Sequence, residues 1–191
     1  VPINEQIDQL LAANIPFSFG YFDLDHFKPF NDVYGYSAGD NIIKAVADTL
    51  TRYIPAESGM VGHIGGDDFI VIFMGHDWLT RCENILESFE NTVPAYYTDA
   101  DVRAGGIHAE NRAGESCFFP LISLSVGLVD SMSTAQCQSH VDIADLASEA
   151  KKQAKKIDGN SYFINHRIAP KTPENPESFA HNPVVKLHVV G

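Results

Sequence analysis

The residues Gly65-Gly66-Asp67-Asp68 stand between two apolar runs, Met60 to Ile64 and Phe69 to Phe73, and no other stretch restricts the fold as much. Two runs of strand length joined by glycines read as a β-hairpin, because glycine takes the positive φ values that side chains resist. The tip of that hairpin holds Asp67 and Asp68. A second acidic corner lies upstream. Phe17 to Leu24 is an apolar run of strand length, and Asp23 and Asp25 flank Leu24, so the two-residue period of a strand sends both carboxylates to one face. Carboxylates so closely spaced repel one another unless a cation stands between them. With the two strands as neighbours, Asp23 meets Asp67, and an incomplete shell of hard oxygen ligands suits Mg²⁺ or Mn²⁺ rather than zinc. A divalent cation carrying a phosphate substrate is the simplest chemistry for such a site, since two ions can activate an attacking hydroxyl and stabilise a leaving pyrophosphate.

Periodicity supplies the remaining elements. Val1 to Asn14 carries Ile3, Ile7, Leu10 and Leu11 at helical spacing and is closed by Pro16, which predicts an entry or connector helix over 1–14. Ser37 to Ile54 places Ile42, Ile43, Val46, Ala47 and Leu50 on one face, with Ser37 and Asp40 in a capping arrangement. Trp78 to Val93 repeats the stripe through Cys82, Ile85, Leu86 and Phe89. The stretch from Ala95 to Pro120 loses periodicity and is long for a connection, which predicts local strand structure or an insertion. Ile122 to Leu128 alternates apolar residues with Ser123, Ser125 and Gly127 as a half-buried strand does. Val141 to Ile157 reads as a helix and Ser161 to Ile164 as a last short strand; beyond Ala169 four prolines argue for an irregular tail over 169–191. This order fits an α+β domain over 15–168, with helices against a mainly antiparallel sheet.

Several separate pieces together resemble one known family. Asp23-Leu24-Asp25-x-Phe27-Lys28-x-x-Asn31-Asp32, Gly39-Asp40 and Gly65-Gly66-Asp67-Asp68-Phe69 are similar in order and spacing to the GGDEF family of diguanylate cyclases, over about Phe17 to Phe163. The subgroup most resembled is the C-terminal GGDEF module of EAL-CBS-GGDEF proteins, through Phe27-Lys28-Pro29-Phe30-Asn31-Asp32, Gly62-His63-Ile64 and Gly159-Asn160-Ser161. The resemblance implies the adenylate-cyclase or polymerase-palm version of the α+β architecture. It also implies GTP as the substrate, cyclic di-GMP and pyrophosphate as products, and a homodimer in which two nucleotides face each other, with EAL and CBS domains attached in the full-length protein.

Site residues follow from the same match. Asp23, Asp67 and the main-chain carbonyl of Leu24 match the metal ligands; Asp67 and Lys28 match catalytic positions; Asn31, Asp40, Lys28 and Lys155 match groups that hold guanine and phosphate. Read without the family, Asn31-Asp32 is a turn, Asp40 a helix-start acid and the lysines solvated charges. Asp25 is either support for the ligands or a cap of the turn after its strand. Three departures are visible. Asp68 stands where the family has Glu, one methylene longer. Gly159 stands where a phosphate-contacting Arg is expected, leaving Lys156 or Arg52 to compensate. The window before the hairpin that carries Arg-x-x-Asp in the family is Ala56-Glu57-Ser58-Gly59, which predicts no tight inhibitory site for cyclic di-GMP. These departures keep a second reading open, a weakly active or inactive GTP-binding regulatory module of a cyclic di-GMP phosphodiesterase.

Composition sets the outer limits. At 191 residues and 45% hydrophobic content the chain suits one core. A net charge of −12 opposes binding to nucleic acid, whose phosphates demand Lys and Arg, but not to a nucleotide that brings its own cations. Cys82, Cys117 and Cys137 are odd in number and lack metal-ligand spacing, so they read as reduced and the segment as cytoplasmic; no run is long enough to span a membrane.

Overall fold

The structure, a computed structural model, describes residues 1–166 and 185–186. A six-stranded sheet runs in the order β2-β3-β1-β6-β7-β8, made of β1 (Ser18–Asp25), β2 (Gly59–Gly65), β3 (Asp68–Phe73), β6 (Ser123–Val129), β7 (Ser161–Asn165) and β8 (Val185–Lys186). All neighbours are antiparallel except β6 and β7, so the sheet is mixed rather than wholly antiparallel. β8 is a short exception to the irregular tail expected after residue 168; the rest of that tail lies outside the described residues.

Alternation along β1 divides the core between two faces. Phe22 and Leu24 pack with Val71 and Phe73 of β3 against helices α3 (Tyr36–Tyr53) and α4 (Trp78–Thr92), through Ile42, Val46, Leu50, Ile85 and Phe89. On the opposite face Phe17 and Phe19 join Ile70 and Ile72 beneath α1 (Ile3–Ala12) and α7 (His140–Ala154), through Ile7, Ile143 and Ala147. Burying seven phenylalanines to below 2% exposure supplies the main driving force for this three-layer arrangement.

Three local expectations are corrected, and the aperiodic stretch does hold the local strand structure expected of it. The dipeptide Asn31-Asp32 is not a turn but lies in a helix, α2 (Phe27–Tyr34). Pro29 hides that helix in the sequence, yet it sits in the first turn, where a missing N–H costs nothing. α3 starts at Tyr36 with Gly35 as its N-cap at φ +92 and no side-chain cap, so Ser37 and Asp40 do not form a capping box. The aperiodic stretch folds as α5 (Asp99–Ala104) followed by a separate hairpin, β4 (Gly106–Glu110) and β5 (Ser116–Pro120). All seven residues of β6 are buried, not only the apolar ones. A four-residue helix, α6 (Ser131–Thr134), links β6 toward α7.

Candidate metal and nucleotide site

Antiparallel register puts acid opposite acid. Asp23, near the end of the central strand β1, is paired directly with Asp68 on β3 and with Ser125 on β6. Between β2 and β3 only Gly66 and Asp67 remain as a two-residue turn; Gly66 holds φ +57 at its first position, where hairpins of the II′ kind use glycine. The Leu24 amide donates to the Asp67 carbonyl at 3.3 Å, which ties the turn to the strand end. Asp23, Asp67 and Asp68 thereby each offer a carboxylate oxygen within 4.8 Å of the others. Like charges directly opposed across strands destabilise a sheet, so this arrangement is costly until something positive enters it.

Part of that charge comes from α7. Lys155 Nζ lies 3.0 Å from Asp23 Oδ2 and 3.1 Å from Asp25 Oδ1, and Lys151 Nζ lies 3.4 Å from the same Asp23 oxygen. Lys156 bonds Gln153 Oε1 at 3.0 Å, and Arg52 lies in the last turn of α3. Lys151 is the cation the sequence did not single out, because four lysines on one helix look alike until its packing is known. Asp25 accepts from Ser123 Oγ at 2.7 Å and from Ser125 Oγ at 2.8 Å, so it supports the strand end rather than capping a turn. The serines that look like the wet side of a strand are the partners of this acid.

Burial and the neighbouring Asp23 charge act together on two of the acids and in opposite directions on Lys155. Burial first, then the neighbouring Asp23, push the Asp67 carboxyl above its ordinary 3.8. Asp68 rises for the same two reasons, with Tyr21 and Lys151 pulling it back. For Lys155 burial pulls the ammonium down, but Asp25 and Asp23 outweigh it and hold the group protonated. The two raised aspartates make the folded state bind protons more tightly than the unfolded chain. Their contribution to stability is therefore present below 3.8 and lost as pH rises through the raised values. A cation that binds only the folded site restores that loss. Mn²⁺ is expected to raise Tm at about pH 7 and to raise it less at about pH 4, where protons compete with the ion for Asp67 and Asp68. Scanning fluorimetry at both pH values checks this, and an equal shift at both would place the ion elsewhere.

The remaining candidates are spread along α2 and α3. Lys28 is exposed and forms an i,i+4 ion pair with Asp32 at 2.8 Å, away from the acids. Asn31 Oδ1 is the buried side-chain oxygen without a hydrogen-bond partner among the described residues, and a Cβ on Gly39 would sit 1.7 Å from it. Gly39 thus makes room for Asn31, and Asp40 follows it, exposed. Gly159 holds φ +80, and the adjacent Asn160 is buried, accepting from the Leu124 amide at 2.7 Å and donating to the Leu86 carbonyl at 2.9 Å. His63 stacks on Phe69 with ring centroids 4.5 Å apart and is exposed, so it belongs to the sheet surface and not the core.

A family profile described as "Diguanylate cyclase, GGDEF domain" matches residues 2–158, with the N-terminal helix inside the match. The chain belongs to the GGDEF domain family. Diguanylate cyclase DgcS of Shewanella oneidensis is 30% identical over 145 residues, which is 75% of this chain and 40% of that protein. The probable diguanylate cyclase DgcI of Escherichia coli is 41% identical over 74 residues, 37% of this chain and 16% of that protein. The chain therefore spans less than half the length of these relatives. Among solved structures, the GGDEF domain of DgcB from Caulobacter crescentus, in complex with c-di-GMP, superposes with a TM-score of 0.56 at 20% identity, covering 86% of this chain and 87% of that one. A diguanylate cyclase/phosphodiesterase from Caldicellulosiruptor saccharolyticus gives 0.61 at 14% identity, covering 87% of each chain. These likenesses show the α+β GGDEF fold. Among the described residues no helix is long and apolar enough to cross a membrane, and the three cysteines form no disulfide.

Proposed function

We propose that this GGDEF domain binds GTP with Mg²⁺ or Mn²⁺ and, as a dimer, joins two GTP molecules into cyclic di-GMP. The convergence of Asp23, Asp67 and Asp68 carries the reading. An all-oxygen donor set with raised carboxylate pKa values fits a hard divalent cation and not a soft one. When bound, such an ion neutralises triphosphate charge and lowers the pKa of an attacking hydroxyl.

The chain's own groups do the rest. Asp23, Asp67 and the Leu24 carbonyl would hold the cation, with Asp68 beside them. Lys155, paired with Asp23 and Asp25 at 3.0 and 3.1 Å, would be the group to contact the phosphates, where a bound cation would supply the charge those acids need. Lys28 reaches them from the start of α2 by giving up its pairing with Asp32. Asn31 and Asp40 read guanine, an amide and a carboxylate meeting the base's carbonyl and its N–H and amino donors. In each half-reaction the 3′-hydroxyl of one GTP attacks the α-phosphorus of the other; an O–P bond forms, the bond to pyrophosphate breaks, and the hydroxyl proton leaves to Asp67 or to solvent. The product's two-fold symmetry requires two domains face to face, so a monomer is nearly inactive.

The chain reads best as the GGDEF module of a longer cytoplasmic protein with EAL and CBS domains, through the Phe27 to Asp32, Gly62 to Ile64 and Gly159 to Ser161 segments. The absence of Arg from Ala56-Glu57-Ser58-Gly59 argues against tight product inhibition. The regulatory reading rests on Asp68 and Gly159, while the intact Asp23, Asp67 and Lys155 group favours turnover. Incubating the purified protein with GTP and Mn²⁺ separates them: the expected result is cyclic di-GMP with pyrophosphate, rising more than linearly with protein concentration. GTP binding without product would favour the regulatory module.

A further inference from the structure

The acid at position 68 is one methylene shorter than the family's Glu, yet its carboxylate still stands within 4.8 Å of Asp23 and Asp67. Register alone does not explain this, because a strand fixes Cβ positions and leaves the carboxylate free to rotate. Tyr21 supplies the constraint. It lies two residues before Asp23 on the same face of β1, and its hydroxyl donates to Asp68 Oδ2 at 3.0 Å across the β1–β3 pair. The ring is itself fixed, with Lys151 Nζ 4.1 Å from its centroid, and Lys151 is held in turn by Asp23 at 3.4 Å. Tyr21, Asp68, Asp23 and Lys151 form a closed circuit, from phenol to carboxylate, across to the second carboxylate, and through the ammonium back to the ring.

We propose that Tyr21 is a positioning residue that orients Asp68 as a third carboxylate ligand to the cation and so offsets the missing methylene. An ionised carboxylate has room for about four hydrogen bonds or ligand contacts, so the bond from Tyr21 leaves Asp68 able to ligate. A phenol O–H on a ligating carboxylate also sets which way the group faces, a role that outer partners of metal ligands commonly play. The inference rests on the cation reading above and adds a residue that neither the family motif nor the sequence spacing assigns.

The test is Mn²⁺ binding to the full chain, followed by loss of the free-ion electron paramagnetic resonance signal, for wild type, Tyr21→Phe, Asp68→Glu and the double variant. Phe keeps the ring and its contact with Lys151 and removes only the hydroxyl. Tyr21→Phe is expected to weaken Mn²⁺ binding by roughly ten-fold, with ion-free Tm within about 2 °C of wild type. In the Asp68→Glu background, where the longer acid reaches without help, the same change is expected to cost less than about two-fold. Equal Mn²⁺ affinity in wild type and Tyr21→Phe, with binding still lost in Asp67→Asn, would overturn the role of Tyr21 while leaving the cation site intact. An equal loss in both backgrounds would overturn the compensation, and no Mn²⁺ binding by wild type would overturn the cation reading and this inference with it.

Discussion

Asp67→Asn is expected to lower cyclic di-GMP formation by at least about a thousandfold, because a ligand to a divalent cation contributes several kcal/mol to stabilising transition-state charge. The variant keeps the size and turn chemistry of Asp67, and the turn is set by Gly65 and Gly66 and by the bond from the Leu24 amide to the residue 67 carbonyl, none of which the change touches. The fold is therefore retained. Ion-free thermal stability should stay level or rise, since burial and Asp23 already disfavour the charged form of Asp67. Opposite movement of activity and Tm distinguishes loss of a ligand from damage to the fold. Measured together by product chromatography and calorimetry, unchanged turnover would remove Asp67 from the chemistry, and a large fall in Tm would assign it a structural role instead.

The second large effect is expected at a residue with no side chain. Gly127 of β6 lies under α7, and a Cβ placed there would come within 2.0 Å of the Ala147 carbonyl oxygen and 2.5 Å of the Lys151 amide nitrogen. Both are backbone atoms, so no rotamer change relieves the overlap and the helix itself has to move. Gly127→Ala should cost about 1–3 kcal/mol or more by overpacking, lowering Tm by several °C. Because α7 carries Lys151 and Lys155 onto Asp23, the same displacement moves both lysines, and a misplacement near 1 Å costs on the order of a hundredfold in rate. A variant with wild-type Tm and wild-type turnover would show that α7 does not seat on β6 as described.

Gly127 also marks what the sequence could and could not convey. Alternation in Ser123-Leu124-Ser125-Val126-Gly127-Leu128 announced a strand correctly but implied a wet face. In the fold that face is occupied: the serines hold Asp25, and the missing side chain of Gly127 admits a helix backbone. A two-residue period reports which residues share a side, not what covers that side. The hairpin and the placement of Asp23 and Asp25 on one face were legible because strand geometry is local and glycine turns are chemically distinctive. α2 was not, since eight residues containing Pro29 carry too little periodic signal. Tyr21 and the serines escaped notice because each acquires its role only through register between strands distant in sequence, and Lys151 because its role depends on how α7 packs on them, whereas Asp67 and Asp68 sit in a motif whose spacing is recognisable on its own.

The most direct measurement is an anomalous-scattering map of crystals grown with Mn²⁺ and a non-hydrolysable GTP analogue. The account predicts a manganese peak bound by carboxylate oxygens of Asp23, Asp67 and Asp68, with Lys155 turned away from Asp25 toward phosphate. A nucleotide bound with no manganese between those acids, or manganese elsewhere on the molecule, would contradict it.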